Sequence, residues 1–280
     1  MSFARVVAVD FSAASSPTTG ADSLWTAHCE ADGPIRTRNH ATREQLTAHL
    51  DDLVARAGRT LIVIDVALGW PVGMASALGV RGRSGVVALL NELVSDEANN
   101  ANNRFAVASE LNRRAGAALL WGHPRSQRYD HLAMTTRAPE GLAPRPFSAK
   151  RTIEHHVGGV IKSPVQLCGV GAVGSQSVLA QVLFERMRSR GLDLSVWPFE
   201  PATTRVVVAE YFFSLLAWRA EVGRVTDERQ VRSAARWARA ALRDGDALDA
   251  SALLGALSAR ERRDVLSEEG WLMGWPSTTR

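Results

Sequence analysis

Three apolar runs in this chain each lead into a carboxylate. In "RVVAVDFSAA" (5–14) four apolar residues precede Asp10, and in "TLIVIDVALGWP" (60–71) the most apolar stretch of the chain precedes Asp65. In "TRVVVAEYFF" (204–213) Val206 to Ala209 precede Glu210. Short, unbroken apolar runs rich in β-branched residues read as strands buried on both faces. Between the first two runs, "SLWTAHCEAD" (23–32) alternates in part and ends in an Asp-Gly-Pro turn signal, and "IRTRNHAT" (35–42) suits its antiparallel partner. "REQLTAHLDDLVARAG" (43–58) spaces Leu46, Leu50, Leu53 and Val54 as one helix face and ends in glycine. Three strands, a helix and a strand predict an α/β beginning.

Residues 72–191 are less regular. Helices are expected in "GVVALLNELV" (85–94), in part of "ANNRFAVASELNRRAG" (101–116), and in "SVLAQVLFERMRSRG" (177–191). Residues 122–150, rich in Pro, Arg and Ser, read as loop. The strand pattern resumes in "LDLSVWPFEP" (192–201) and the Glu210 run. Helices are expected near 227–243 and 246–258, and "EEGWLMGWP" (268–276) suits a last short strand. No repeat or low-complexity linker divides the chain. The reading is one domain over 1–280 with 72–191 as a helical and loop insertion.

Bulk properties narrow this little. With 280 residues, 46% hydrophobic and 22% charged, the chain has the makeup of a soluble globular protein. A net charge of +4 permits an anionic partner without specifying one. Lys150 and Lys162 are the only lysines. The abundance of Arg and Ala fits a GC-rich bacterial genome, which weakens Arg as a sign of a phosphate surface. Cys29 and Cys168 have no further cysteines to form a zinc knuckle and are expected to be reduced and buried. No leader pattern and no apolar run of about 20 residues is present, so a cytoplasmic protein is expected.

The strand-end acids carry the candidate chemistry. Ligands of open α/β sheets bind at the carboxyl ends of the strands. Acids converging there repel one another unless a hard divalent cation, Mg²⁺ or Mn²⁺, neutralises them. "GDALDASALLGAL" (245–257) offers Asp246 and Asp249 on one helix face, with Leu248, Ala252, Leu253 and Leu257 to dock that helix on the sheet. Taken singly, an Asp ending a strand is as readily a turn former or an N-cap.

The order strand-Asp, hairpin, helix, "IDVALGWP", strand-Glu, "DALDA" helix and "EEGW" tail resembles the RNase-H-like superfamily, and within it an uncharacterised family of predicted nucleases. In that family the first strand ends in Asp, the fourth carries Ile-Asp-x-x-x-Gly, a later strand holds Glu, and a C-terminal helix gives an Asp before Ala. Asp10, Asp65, Glu210 and Asp249 match in turn. Tyr211 to Phe213 after Glu210 depart from the pattern, and Asp227 in "TDERQV" competes with Asp249 for the fourth place. The resemblance implies an RNase-H-like mixed sheet flanked by helices. It also implies Mg²⁺- or Mn²⁺-dependent phosphodiester hydrolysis with the four acids as catalytic metal ligands, and nucleic acid as partner.

"QLCGVGAVGSQSVLAQVL" (166–183) sets Gly169, Gly171 and Gly174 in a G-x-G-x-x-G pattern before a helix. With Lys162 upstream these residues suit a phosphate cradle for a nucleotide or another phosphorylated small molecule. They equally suit a tight loop that only packs. A dinucleotide fingerprint is disfavoured, because "PVQLC" is a weak strand and Glu200 comes 26 residues after Gly174. A small-molecule biosynthetic enzyme, or a binding protein on the same fold, is therefore the rival to the hydrolase. Glu110 and Arg113 are further candidates for a cleft wall. Adjacent His155 and His156 point apart, and His123 and His131 lack a third ligand.

Overall fold

The structure, a computed structural model, describes residues 2–158, 161–244 and 247–276. Alternation along the central strands decides its layering. In β1 (Phe3–Asp10) Val7 and Val9 enter one buried cluster, and Val6 and Ala8 enter another on the opposite face. In β4 (Arg59–Ile64) Ile62 and Ile64 face the first cluster, and Leu61 and Val63 the second. In β6 (Val206–Glu210) Val206 and Val208 oppose Val207 and Ala209 in the same way. These three runs lack polar alternation because both of their faces are covered.

β2 (Leu24–Glu30), β3 (Arg36–His40) and β5 (Leu194–Val196) complete a six-stranded sheet of order β3-β2-β1-β4-β6-β5. β2 is antiparallel to β1 and β3, whereas β1, β4, β6 and β5 run parallel. The protein is thus α/β with a mixed sheet flanked by helices.

α1 (Arg43–Ala55), capped by the Thr42 side chain, packs on the first face through Leu46, Leu50 and Leu53. The segment between β4 and β5 carries α2 (Met74–Ala77), α3 (Gly82–Leu93), α4 (Arg104–Ala115), α5 (Thr152–Val157) and α6 (Gly174–Ser189). Val86 and Leu90 of α3, Val107 and Leu111 of α4, and Val178 and Val182 of α6 join the cluster built on Val7 and Ile62. The insertion is therefore the cover of one sheet face. α7 (Thr226–Asp244) covers the other, lying on β1 and β2 with Val231, Ala234, Ala235 and Ala238 buried. Its small residues permit close approach of helix and sheet. α8 (Ala250–Leu253) and α9 (Ala259–Asp264) follow on that side. Among the described residues no helix is long and apolar enough to cross a membrane.

Three expectations change. α6 begins at Gly174, so the last glycine of the G-x-G-x-x-G run is the first helical residue. The stretch 246–258 is not one long helix: α8 has four residues, and Asp246 lies outside the described residues. "EEGWLMGWP" gives a single bridge, Leu272 to Glu210, rather than a strand. This tail runs so close to the chain after β4 that a Cβ on Gly69 would lie 2.1 Å from the Glu269 carbonyl oxygen, which requires glycine there.

Under α1 the rings of His28 and His40 each contact His49, at centroid distances of 5.5 and 5.2 Å. His40 Nε2 meets Thr26 Oγ1, and His49 Nδ1 meets Arg38, but His28 Nδ1, His40 Nδ1 and His49 Nε2 have no partner. Burial, then the neighbouring His49 ring and Arg38, push His40 down to about 3. Burial and Arg38 push His49 down to about 4. A base whose pKa is depressed by folding stabilises the fold above its unfolded value near 6.5 and loses that contribution as pH falls toward the folded value. The stability advantage of wild type over a His40→Gln/His49→Gln variant should therefore shrink from pH 7 to pH 4.5, by up to about 1.4 kcal/mol per pH unit for each ring. Urea denaturation at each pH measures it, and a constant difference would show that the rings are not held neutral.

Candidate functional site

Parallel pairing sets the site. Val9 pairs with Ile64, so the next residues, Asp10 and Asp65, leave the sheet on adjacent strands, and the Asp65 N–H donates to the Val9 carbonyl at 3.2 Å. Ile64 also pairs with Glu210 on its other side. All three strand-end acids thus reach the same sheet edge, but their surroundings diverge.

Asp10 and Asp65 are partly exposed, and their open side is a cavity of about 570 Å³. Asp22 also lines it, and Lys162, Gly171 and Val173 form the facing wall. The Asp10 carboxyl is raised well above the usual range, by desolvation first and then by the charges of Asp65, Asp227 and Asp22. Asp65 is raised to about 7 by desolvation and by Glu210, against the lowering effect of a bond from the Phe213 N–H. No cation of the protein stands among these influences.

Glu210 is only 1% exposed and is fully engaged. Arg151, at the start of α5, grips it with two bonds, Nη2 to Oε1 at 2.6 Å and Nη1 to Oε2 at 2.9 Å. The Leu68 N–H donates to Oε2 at 2.8 Å. The same guanidinium donates to Glu154 from Nε and Nη2 and to the Glu269 carbonyl from Nη1. Arg151 and Glu154 line the cavity, whereas Glu210 does not.

Asp249 stands elsewhere. Its carboxylate accepts the N–H groups of Ser251 and Ala252 as the N-cap of α8. It lines a separate cavity of about 580 Å³ beside Phe3 and Arg5, at the start of β1. At about 3.3 Å per residue, the eight residues of β1 separate that end from Asp10 by roughly 23 Å. Of the three candidates for the fourth place, Asp246 lies outside the described residues and Asp227 is the one near Asp10. It opens α7 and accepts the Asp22 N–H at 2.7 Å, while burial raises its own carboxyl.

Among the described residues no three His, Cys, Asp or Glu side chains could hold a metal ion together. The four-carboxylate cluster of Asp10, Asp65, Glu210 and Asp249 does not form. Asp10 and Asp65 remain as two carboxylates on adjacent strands that open on one cavity, a donor set of the kind a hard cation takes when water and a phosphate supply its other ligands.

The glycines divide in role. Gly171 (φ +72°) stands in the cavity wall, where a Cβ would approach Lys162 to 3.7 Å. Gly169 turns toward Thr136 and Gln166. Gly174 is required by packing, since a Cβ there would lie 2.6 Å from the Gln166 carbonyl oxygen. Only an isolated bridge, Trp121 to Gln166, precedes the loop, and Glu200 is bound to Arg188. Both the strand and the free acid of a dinucleotide site are missing. Glu110 pairs with Arg113 and Arg114 on α4, apart from the cavity. His156 packs edge-on against Trp271, and His123 meets the Tyr129 ring. Cys29 is buried and Cys168 half-buried, both as free thiols.

Sequence reasoning overlooked the partners of Glu210. The i,i+3 spacing of Arg151 and Glu154 was the available sign of an ion pair, but nothing in it pointed to Glu210. No family model, curated protein or solved structure matches the chain.

A carboxyl whose pKa is raised by folding opposes the fold once ionised, so its cost is absent near pH 4 and complete above about pH 7. In EDTA, Asp65→Asn should gain stability over wild type by about 1–2 kcal/mol more at pH 8 than at pH 4. Chemical denaturation at the two pH values checks this; equal differences would show that Asp65 pays no cost for its charge.

Proposed function

We propose that the protein is a Mg²⁺- or Mn²⁺-dependent phosphodiester hydrolase. The observation that carries this is the pairing of Asp10 and Asp65: two desolvated, mutually repelling acids that face a cavity and, among the described residues, form no ion pair with a Lys or Arg side chain. Asp10 and Asp65 would hold the cation. When bound, it supplies a Lewis acid for the phosphoryl oxygens and lowers the pKa of a coordinated water.

The remaining roles fall to the chain. Lys162, on the facing wall beside Gly171, donates to a phosphate oxygen and orients the ester against the acids. Asp22, next to Asp10, is placed to take up a proton released in the cavity. The insertion narrows the site: residues from 151 to 176 form one wall, with Ile161 and Val170 apolar, and Phe212 stands after β6. A cavity of about 570 Å³ is of small-ligand size. That favours a small phosphodiester, or the end of a single nucleic-acid strand, over a duplex.

Millimolar Mn²⁺ should raise the melting midpoint of wild type by ~3–8 °C over EDTA, and that of Asp10→Asn not at all. Mn²⁺-dependent cleavage of bis(p-nitrophenyl) phosphate should fall on the order of 100-fold in Asp10→Asn, whereas Lys162→Ala should mainly raise KM. A wild type whose melting ignores Mn²⁺ and Mg²⁺ sinks the hydrolase reading.

A further inference from the structure

We infer that Arg151 is a built-in cation that withdraws Glu210 from the site, so that the edge of the sheet takes one divalent ion rather than two. This rests on the cation-dependent reading above and adds its stoichiometry.

The argument begins with donors and acceptors. A guanidinium has five N–H groups. In Arg151 Nε–H goes to Glu154, the two on Nη1 go to Glu210 and the Glu269 carbonyl, and the two on Nη2 go to Glu154 and Glu210. None is left over. Both Glu210 oxygens are used, Oε1 by Arg151 and Oε2 by Arg151 and the Leu68 N–H. The side chains of Arg151 and Glu210 are 0% and 1% exposed, and Glu210 does not line the cavity, so its carboxylate is closed off from a solvated ion there.

The charges agree with this. Two ions about 4 Å apart need several bridging and terminal carboxylates between them. Of the strand-end acids, Asp10 and Asp65 supply two on the cavity wall, and the exposed Asp22 of the neighbouring loop also lines it. The third strand-end acid already has its positive partner, delivered from the insertion 59 residues earlier in the chain. Arg151 lines the cavity but spends its bonds on Glu154, Glu210 and the Glu269 carbonyl and none on Asp10 or Asp65, so it is a positioning residue. It fixes α5 to the sheet edge and keeps both Glu210 oxygens occupied.

The test is a Mn²⁺ titration of the full chain, with free Mn²⁺ read by electron paramagnetic resonance and melting read in parallel. Wild type should bind one Mn²⁺. Glu210→Gln should melt lower in EDTA, because Arg151 loses a charged partner, yet bind one Mn²⁺ with unchanged affinity. Asp65→Asn should bind on the order of 100-fold more weakly. Two Mn²⁺ per wild-type chain, or a Glu210→Gln affinity as poor as that of Asp65→Asn, overturns the role of Arg151 and leaves the cation reading standing. Failure of wild type to bind Mn²⁺ overturns both. Should Glu210→Gln not fold, Glu154→Gln, which keeps both Arg151–Glu210 bonds, takes its place: one ion supports the inference and two refute it.

Discussion

The site depends on one buried ion network. Arg151 joins the insertion to β6 through Glu210, to its own helix through Glu154, and to the tail through the Glu269 carbonyl. Glu269 in turn accepts the Thr152 N–H, and Glu268 accepts the N–H groups of Gly73 and Ala75 at the start of α2. Four distant segments therefore meet within a few bonds. Removing one partner of such a pair costs about 3–5 kcal/mol, chiefly because the other charge stays buried. The network does more to specify where the cavity wall stands than to raise total stability.

The open acids are its counterpart. Asp10 and Asp65 lie at the same edge as Glu210 and receive no such compensation. A fold that engages both oxygens of one strand-end carboxylate and leaves its two neighbours repelling each other has set the three acids in different surroundings. Local conflict of this kind, tolerated because the rest of the fold is consistent, is where function is expected.

How much of this was legible in the sequence follows from the range of each interaction. β1, β4, β6 and α1 are encoded by local apolar patterns, and the strand ends put Asp10, Asp65 and Glu210 at one edge. Asp249 misled because an i,i+3 acid pair before an apolar stripe resembles a helix face, whereas α8 starts only at Ala250 and makes Asp249 its N-cap. The neutralisation of Glu210 was hidden for a different reason. Its partner lies 59 residues away in a Pro- and Arg-rich stretch whose pattern names no face or register. Gly174 shows the same limit: its motif suggested a phosphate, and its lack of a side chain is required by the nearby Gln166 carbonyl.

The tail has a consequence for biosynthesis. The Ala75 and Gly73 N–H groups are satisfied by Glu268, which lies 193 and 195 positions later in the chain. At about 5–20 residues per second of elongation, roughly 10–40 s pass between the appearance of α2 and that of its carboxylate. Throughout that interval the insertion must persist on the ribosome without its last lock, and Arg151 without the Glu269 carbonyl. The nascent chain can lay down the first strands and α1 early, but the wall of the cavity becomes rigid only when residues 268–273 have left the exit tunnel.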